Sequence, residues 1–342
     1  MTGHFGPFER SATPITTSLF EQESAVIELR FVHSETVGIT GKLCRIAVTV
    51  LLLALALLDA VSIAAESESR AGHGHVSVDF QVIRIDGFQN SINVSSIGTA
   101  DTQSLNFEIE YYVTDRITVS AGIPYVKKRY NGDRPHNPLA LDPPRPEVEN
   151  VDILDWNTDF QNFHLGVRYR AKDGPVEIEP YAYLGVPSSN YPFFGHSAVG
   201  QQLLKFDLGT TITWLPGLSN AYYRADIGYV FVEETLGVSI NHWLINAEMG
   251  YFLSPKLTGR VFGQLKKGHG LESPQDFDLP RTGEQWYQHD RMLKHNYANV
   301  GIGLDWSIND KYQLNAAVLT MIWEEQVHIM KYAVNLGISR AF

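Results

Sequence analysis

The chain has 342 residues, of which 44% are hydrophobic, 11% aromatic and only 19% charged, so it is compatible with two soluble domains or one large barrel. The mean hydropathy of -0.13 excludes a polytopic helical membrane protein, and the evenly spread aromatic residues exclude a disordered chain. The net charge of -11 argues against a nucleic-acid partner, because phosphate binding needs clustered Lys and Arg. A soluble all-β protein or an outer-membrane barrel remains.

A basic segment followed by an apolar one predicts a secretory signal peptide over residues 37–64. Lys42 and Arg45 precede an apolar run of 13 residues from Ile46 to Leu58, and small residues follow before the expected cleavage after Ala64 or one residue later. The alternative is a transmembrane anchor, which the small-residue exit disfavours. We therefore expect an exported protein.

Residues 1–36 do not fit the front of a signal peptide, because most of their charged residues are acidic. No Met lies between Met1 and Met249, so we expect translation to start at a non-Met codon, such as the one read as Val37, and residues 1–36 to be a leader outside the natural precursor. The N-terminal sequence of the precursor tests this. The expected mature chain, residues 65–342, carries 23 Lys and Arg against 32 Asp and Glu and lacks Cys44, which excludes disulfides and thiol catalysis.

Beyond residue 72, large apolar residues alternate with small or polar ones in segments separated by turn residues. In the last segment, apolar side chains from Tyr332 to Ile338 alternate with small or polar ones from Ala333 to Ser339. The second face is rich in Gly, Ser, Thr and Asn, which favours a barrel whose apolar side meets lipid over a soluble sandwich. We predict twelve strands, near 75–86, 103–113, 117–128, 159–171, 176–186, 201–214, 221–232, 236–252, 257–267, 293–307, 312–323 and 327–342.

The predicted connections alternate between short and long. The short ones contain two to six residues, whereas the intervening ones are often long, with tighter exceptions near Glu233 and Glu324. The long ones are 87–102, 129–158, 187–200 and 268–292. This asymmetry predicts an all-β fold, a single antiparallel transmembrane β-barrel of about 12 strands with short periplasmic turns and longer extracellular loops, in the outer membrane of a Gram-negative bacterium. Aromatic residues flank both sets of connections, as expected at two membrane interfaces.

One hairpin allows its register to be predicted. If Asp173 and Gly174 form a two-residue turn, Arg170 lies opposite Glu177 and Arg168 lies opposite Glu179, all on the face away from lipid. Opposite charges across an antiparallel pair stabilise it by about 0.2–1 kcal/mol. The sequence therefore predicts two ion pairs inside the barrel.

Short motifs over about residues 75–342 resemble the outer-membrane family labelled for the MetA pathway of phenol degradation. The motifs are the runs 122–126 and 159–170, the triplet Gly185-Val186-Pro187 and the closing run 337–342. The resemblance implies an outer-membrane channel associated with aromatic-compound metabolism. Gln161 and Asn162 stand where relatives often have an Asp-Leu pair. The terminal Phe342 resembles the signal recognised by the barrel-assembly machinery, so we expect this machinery and outer-membrane lipid as partners.

Two motifs near the first strand resemble a catalytic His-Ser pair and a metal site, and we expect neither function. His75 and Ser77 are spaced as in barrel phospholipases, but Val76 and Val78 take the lipid side, so the His and Ser point away from a lipid substrate. We expect no catalytic residue and no enzyme activity. His73 and His75 supply only two imidazoles, fewer than a zinc site uses, and we expect neither a metal nor a cofactor.

The inward-facing charged residues are the candidate solute path. They are Glu108, Glu110, Arg168, Arg170, Glu177, Glu179, Lys205, Asp207, Arg224, Asp226, Arg260 and Asp305. The predicted function is a channel for passive passage of small solutes, including aromatic or hydrophobic ones. The alternative is a closed-lumen structural barrel or a lipase-like outer-membrane enzyme. The strand number does not decide between an open and a closed lumen, because about eight strands leave a filled interior, about sixteen leave a channel, and twelve lie between them.

Whether the lumenal charges can all form ion pairs distinguishes the channel from the closed-lumen barrel. Pairing within the hairpin and between strands 201–214 and 221–232 leaves the acids Glu108, Glu110 and Asp305 against Arg260. A surplus of acids in a low-dielectric wall attracts cations, so we predict weak conductance with a preference for cations or neutral solutes. The proline-rich loop 129–158 either folds into the pore or covers its mouth.

Overall fold

The computed structural model describes residues 69–89, 94–272 and 281–342. The expected signal peptide and leader lie outside these residues. Within them, no helix is long and apolar enough to cross a membrane. The strands are β1 (Gly74–Gln89), β2 (Val94–Tyr112), β3 (Ile117–Gly132), β4 (Asn157–Phe160), β5 (Asn162–Tyr169), β6 (Val176–Pro187), β7 (Lys205–Trp214), β8 (Ala221–Val232), β9 (His242–Ser254), β10 (Leu257–Gly268), β11 (Asn296–Ser307), β12 (Tyr312–Glu325) and β13 (Val327–Ala341), with one short helix, α1 (Glu284–Tyr287).

The strands form a closed antiparallel barrel. Each strand pairs with its sequence neighbours, and β1 closes the ring by pairing with both β2 and β13. Strands β4 and β5 both pair with β3 and follow each other along it, so they make one barrel strand. The barrel therefore has twelve strands, which confirms the predicted fold.

A bulge at Gln161 separates β4 from β5. Tyr125 lies opposite Phe160, but Gly122 lies opposite His164, so one extra residue is inserted on the second strand. An inserted residue re-aims the side chains around it, and Gln161 is buried as a result. The predicted uninterrupted strand 159–171 is therefore wrong at this position.

The two faces of the barrel differ as the alternation predicted. Along β2 the exposed residues are Leu105, Phe107 and Ile109, whereas Ser104 and Glu110 are buried inside. A continuous apolar outer surface is what a lipid-embedded barrel presents. Aromatic side chains are exposed next to the short turns, at Tyr169, Trp214, Tyr251, Trp306 and Phe342.

The extracellular ends differ from the prediction in three places. Residues 87–102 were predicted to be a loop, but β1 and β2 continue until Gln89 pairs with Val94. Strand β7 begins at Lys205 and β9 at His242, later than the predicted 201 and 236. A strand that rises above the bilayer has no lipid-facing side, so its hydrophobic alternation fades and its boundaries cannot be read from that pattern.

The predicted register of the β5–β6 hairpin is also wrong. Arg168 lies opposite Tyr181, two residues away from the expected Glu179. A two-residue turn at Asp173-Gly174 would need a hydrogen bond from the backbone N–H of residue 175, but this residue is proline and has no such group. The hairpin instead closes through a bridge between Lys172 and Ile178. A shift of two residues keeps every side chain on its predicted face.

Candidate functional site: the barrel lumen

The barrel contains a cavity of about 100 Å³, which we call the large cavity. Its wall includes Asp79, Asn106, Glu108, Glu110, Arg168, Tyr183, Lys205 and Asp207 from the strands, and Tyr191, Gly200, Gln201 and Gln202 from the β6–β7 connection. A second space of about 30 Å³ lies against Arg224, Asp226, Asn246, Glu248, Phe262 and Gln264. Both spaces are lined by inward-facing residues, so the candidate site is the lumen itself.

An ion pair between β2 and β5 forms one side of the large cavity. Arg168 donates a hydrogen bond to Oε1 of Glu110, and both residues are buried, with 7% and 2% of their surfaces exposed. His75 Nε2 lies 3.4 Å from Oε2 of the same carboxylate. Glu108 also lines this cavity and has no hydrogen bond or ion pair within the described residues.

A second charged network joins β8 to β11. Arg260 lies 3.2 Å from Oε2 of Glu248 and 2.9 Å from Oδ2 of Asp305. Tyr222 donates to Oε1 of Glu248 at 2.6 Å. The Tyr222 ring lies so close to Gly250 that a Cβ there would meet the ring at 2.0 Å, so only glycine fits beneath it.

The remaining predicted residues lie in smaller contacts. Asp226 accepts hydrogen bonds from Tyr181 at 3.0 Å and Thr211 at 2.8 Å. Arg170 lies 3.5 Å from Glu179, at the periplasmic end of the hairpin. Five of the twelve predicted residues line the large cavity: Glu108, Glu110, Arg168, Lys205 and Asp207.

Several predicted pairings are wrong. Arg168 pairs with Glu110 rather than Glu179, and Arg170 pairs with Glu179 rather than Glu177. Glu108, Glu110 and Asp305 were predicted to stand against Arg260 alone; Arg260 pairs with Asp305, and Glu110 has Arg168 as its partner. The contact between Arg168 and Glu110 crosses β3 and joins strands that are not consecutive in the chain, so hairpin pairing alone could not reveal it. The prediction omitted Glu248. The apolar Leu244 lies on the same inward face of β9, four residues earlier, and interrupts the alternation of apolar and polar residues that would have marked Glu248 as inward-facing.

The extracellular half of the lumen has an apolar wall. Ile83, Ile85, Tyr130, Leu319 and Met330 are buried together, and Phe262 and Met321 pack against them. This wall is built mainly by β1, β3, β12 and β13, whereas the charged residues of the large cavity lie on β2, β5 and β7. The lumen thus presents one apolar and one charged surface.

The β6–β7 connection, residues 188–204, folds inward and forms the roof of the large cavity; we call it the lid. Tyr191 is 1% exposed, donates to Asn162 Oδ1 at 2.6 Å and accepts from the Gln202 backbone N–H at 3.0 Å. Asn162 donates to the Leu203 carbonyl at 2.8 Å, and Gln161 donates to the Val199 carbonyl. Gln161 and Asn162 therefore anchor the lid to the barrel wall.

Two further loops complete the extracellular closure. Leu141 of the proline-rich loop is buried with Phe193 and Phe194 of the lid and with Trp286 and Tyr287 of the β10–β11 connection. Burial raises the pKa of Tyr287 to about 12, against the opposing effect of the Arg145 guanidinium. The proline-rich loop thus packs on the lid and covers the mouth rather than lining the lumen on its own.

Histidines from these loops meet in the same closure. His136 lies 4.5 Å from His196 between ring centroids, in an edge-on arrangement. Burial, followed by the neighbouring imidazoles of His136 and His328, holds the pKa of His196 well below its usual range. This imidazole is therefore neutral at physiological pH.

Comparison with known proteins supports the fold. No protein-family model and no curated protein matches the chain, so the family suggested by the short motifs stays a prediction. The COG4313 outer membrane channel from Pseudomonas putida F1 is a structural relative with a TM-score of 0.61 and 13% identity, covering 82% of this chain and 100% of that one.

Two weaker likenesses have TM-scores too low to carry an argument. The translocator domain of the autotransporter NalP from Neisseria meningitidis has a TM-score of 0.44 at 10% identity, covering 89% of this chain and 97% of that one. The P. putida toluene transporter TodX has a TM-score of 0.39 at 9% identity, covering 81% and 90%. The chain has the closed antiparallel barrel fold of outer-membrane proteins.

Proposed function

We propose that this protein is an outer-membrane channel for the passive passage of small solutes, including aromatic or hydrophobic ones. The observation that carries the proposal is the large cavity inside the barrel, roofed by the lid. A ligand cavity that combines an apolar surface with a few polar groups suits small organic molecules. The lumen has both, since Val230 and Leu244 line the large cavity beside charged residues, and Phe262 lines the second space.

The lid also gives the proposed channel a closed state. Its contacts with Asn162 and Gln161 place it between the large cavity and the extracellular side. Passage of a solute then requires the lid to move, which predicts infrequent or small conductance. The fold likeness to a known outer-membrane channel agrees with this proposal.

Planar-bilayer recording of the refolded barrel, combined with uptake of a phenolic solute by liposomes, tests the proposal. We expect channel events, solute uptake or both, in excess of protein-free membranes. An absence of both would leave the second candidate, a structural barrel with a closed lumen. That candidate is favoured by the ion pairs of Arg168 and Arg260, which fill part of the lumen.

Glu108 is the acid that we expect to set ion preference. It lines the cavity without an ion pair, whereas Glu110 is neutralised by Arg168. One charge at about 6 Å in water contributes about 0.7 kcal/mol, so Glu108→Gln should change the local concentration of each monovalent ion by about threefold. Reversal potentials in a salt gradient give the cation-to-anion ratio. The ratio should fall.

Glu234→Gln is the matched control, because Glu234 is exposed in the β8–β9 connection. It removes the same charge outside the lumen and should leave the ratio close to that of the native protein. An equal effect of both variants would show that the general surface charge, rather than Glu108, sets the preference.

A further inference from the structure

A cluster of imidazoles and carboxylates lies where three extracellular loops meet. His136 and Asp152 belong to the β3–β4 connection, His196 belongs to the lid, and His289 and Asp290 belong to the β10–β11 connection. His136 and Asp152 are 1% and 0% exposed, and His289 is 6% exposed. The hydrophobic contacts of the lid do not explain why such polar residues converge in a buried place.

Hydrogen bonds fix the tautomers of two of these imidazoles. Nδ1 of His136 lies 2.8 Å from Oδ2 of Asp152, and Nδ1 of His289 lies 2.5 Å from the Trp286 carbonyl oxygen. A carboxylate and a carbonyl can only accept, so each Nδ1 carries the hydrogen. In the neutral imidazoles both Nε2 atoms therefore present a lone pair.

These lone pairs point at each other and at a carboxylate. The two Nε2 atoms of His136 and His289 are 3.4 Å apart, and Nε2 of His289 is 3.1 Å from Oδ1 of Asp290. Three acceptors in this arrangement need a cation or a proton between them. Two nitrogens bound tetrahedrally at about 2.0–2.1 Å from zinc lie about 3.3 Å apart, which agrees with the separations in the cluster.

His196 lies on the other side of His136, beside Asp152. Its Nε2 is buried and has no hydrogen-bond partner within the described residues. One ligand atom of His196 lies within 4.8 Å of ligand atoms of His136 and Asp152, so it belongs to a group that shares only His136 with His289 and Asp290.

Asp152 has the position of an orienting residue. Its Oδ2 accepts from His136, and its Oδ1 accepts from the Ser197 backbone N–H at 3.1 Å. A carboxylate that holds the second nitrogen of a metal-binding histidine sets the ring orientation and raises its basicity. Asp152 therefore prepares His136 and at the same time ties the proline-rich loop to the lid.

We propose that His136, His289 and Asp290 bind a divalent transition-metal ion such as Zn²⁺. Nitrogen and oxygen donors at these spacings suit zinc, and imidazole also accepts nickel or copper. The ion joins the proline-rich loop to the β10–β11 connection, and Asp152 ties the proline-rich loop to the lid, so the site locks the closure over the lumen. This binding does not depend on whether the barrel transports solutes.

The test uses the full barrel, refolded in detergent, stripped with a chelator and dialysed against Zn²⁺. We expect one tightly retained zinc per chain in the native protein and none in His136→Gln or His289→Gln. Asp152→Asn should weaken zinc binding by roughly 10–100-fold, as for other orienting carboxylates. His269→Gln is the matched control, because His269 is exposed in the same connection as His289, and it should retain zinc fully.

A second readout locates the ion. The Trp286 ring stacks on His289 with centroids 4.1 Å apart, so Co²⁺ at the site should quench Trp286 fluorescence, and Trp286→Phe should remove this quenching without loss of zinc. Heat-modifiable gel migration verifies that each variant is a folded barrel. If the native protein retains no zinc, a proton rather than a metal links the lone pairs and the proposal fails. Equal zinc retention by folded His136→Gln and His289→Gln barrels would also overturn it.

Discussion

Replacing Arg168 by methionine is expected to destabilise the barrel by about 3–5 kcal/mol, the usual cost of removing one partner from a buried ion pair. The expected loss is large because Glu110, only 2% exposed, would keep its charge without the arginine that now donates to it. Methionine keeps much of the side-chain volume, so the change reports mainly on charge. Equilibrium unfolding by urea in lipid vesicles measures the difference.

The double variant Arg168→Met/Glu110→Gln distinguishes charge from packing. Removing both charges should restore most of the stability, because no unpaired ion remains. Arg116→Met is the matched control, since Arg116 is exposed in a periplasmic turn, and it should change the free energy of unfolding by less than about 0.5 kcal/mol. A loss below about 1 kcal/mol in Arg168→Met would contradict the role assigned to this pair.

Replacing Tyr191 by alanine is expected to free the lid. The ring is 1% exposed, and its hydroxyl bonds both Asn162 and the Gln202 backbone. Truncating a buried aromatic side chain costs about 3 kcal/mol, which corresponds to about a hundredfold change in the equilibrium between the docked and released lid. Single-channel recording should show open events that are correspondingly more frequent.

Tyr191→Phe keeps the ring and removes only the hydroxyl. The loss of about 1–1.5 kcal/mol expected for its hydrogen bonds should increase opening by about tenfold. Leu236→Ala, in the exposed β8–β9 turn, should have no effect, because Leu236 is 53% exposed. Unchanged gating in Tyr191→Ala would mean that the lid is not the barrier to passage.

The barrel itself could be predicted from the sequence, because the two sides of its wall face different environments. A strand that faces lipid on one side and a polar lumen on the other must alternate, as Leu105, Phe107 and Ile109 do with Ser104 and Glu110. This constraint determined the strand number, the antiparallel order and the inward face of buried charged residues such as Glu110 and Arg168. It also made those assignments insensitive to the two-residue register error between Arg168 and Tyr181.

The partners of the charged residues and the roof of the lumen depended on the tertiary structure. Arg168 meets Glu110, 58 positions earlier, because β3 pairs with both β2 and β5 and so places them on its two sides, and no local pattern encodes such a contact. His136 and His289 are 153 positions apart and lie in loops that have no lipid-facing side and hence no periodicity. Alternation determines which face a side chain occupies, whereas only the packing of the closed barrel and its loops determines what that side chain meets.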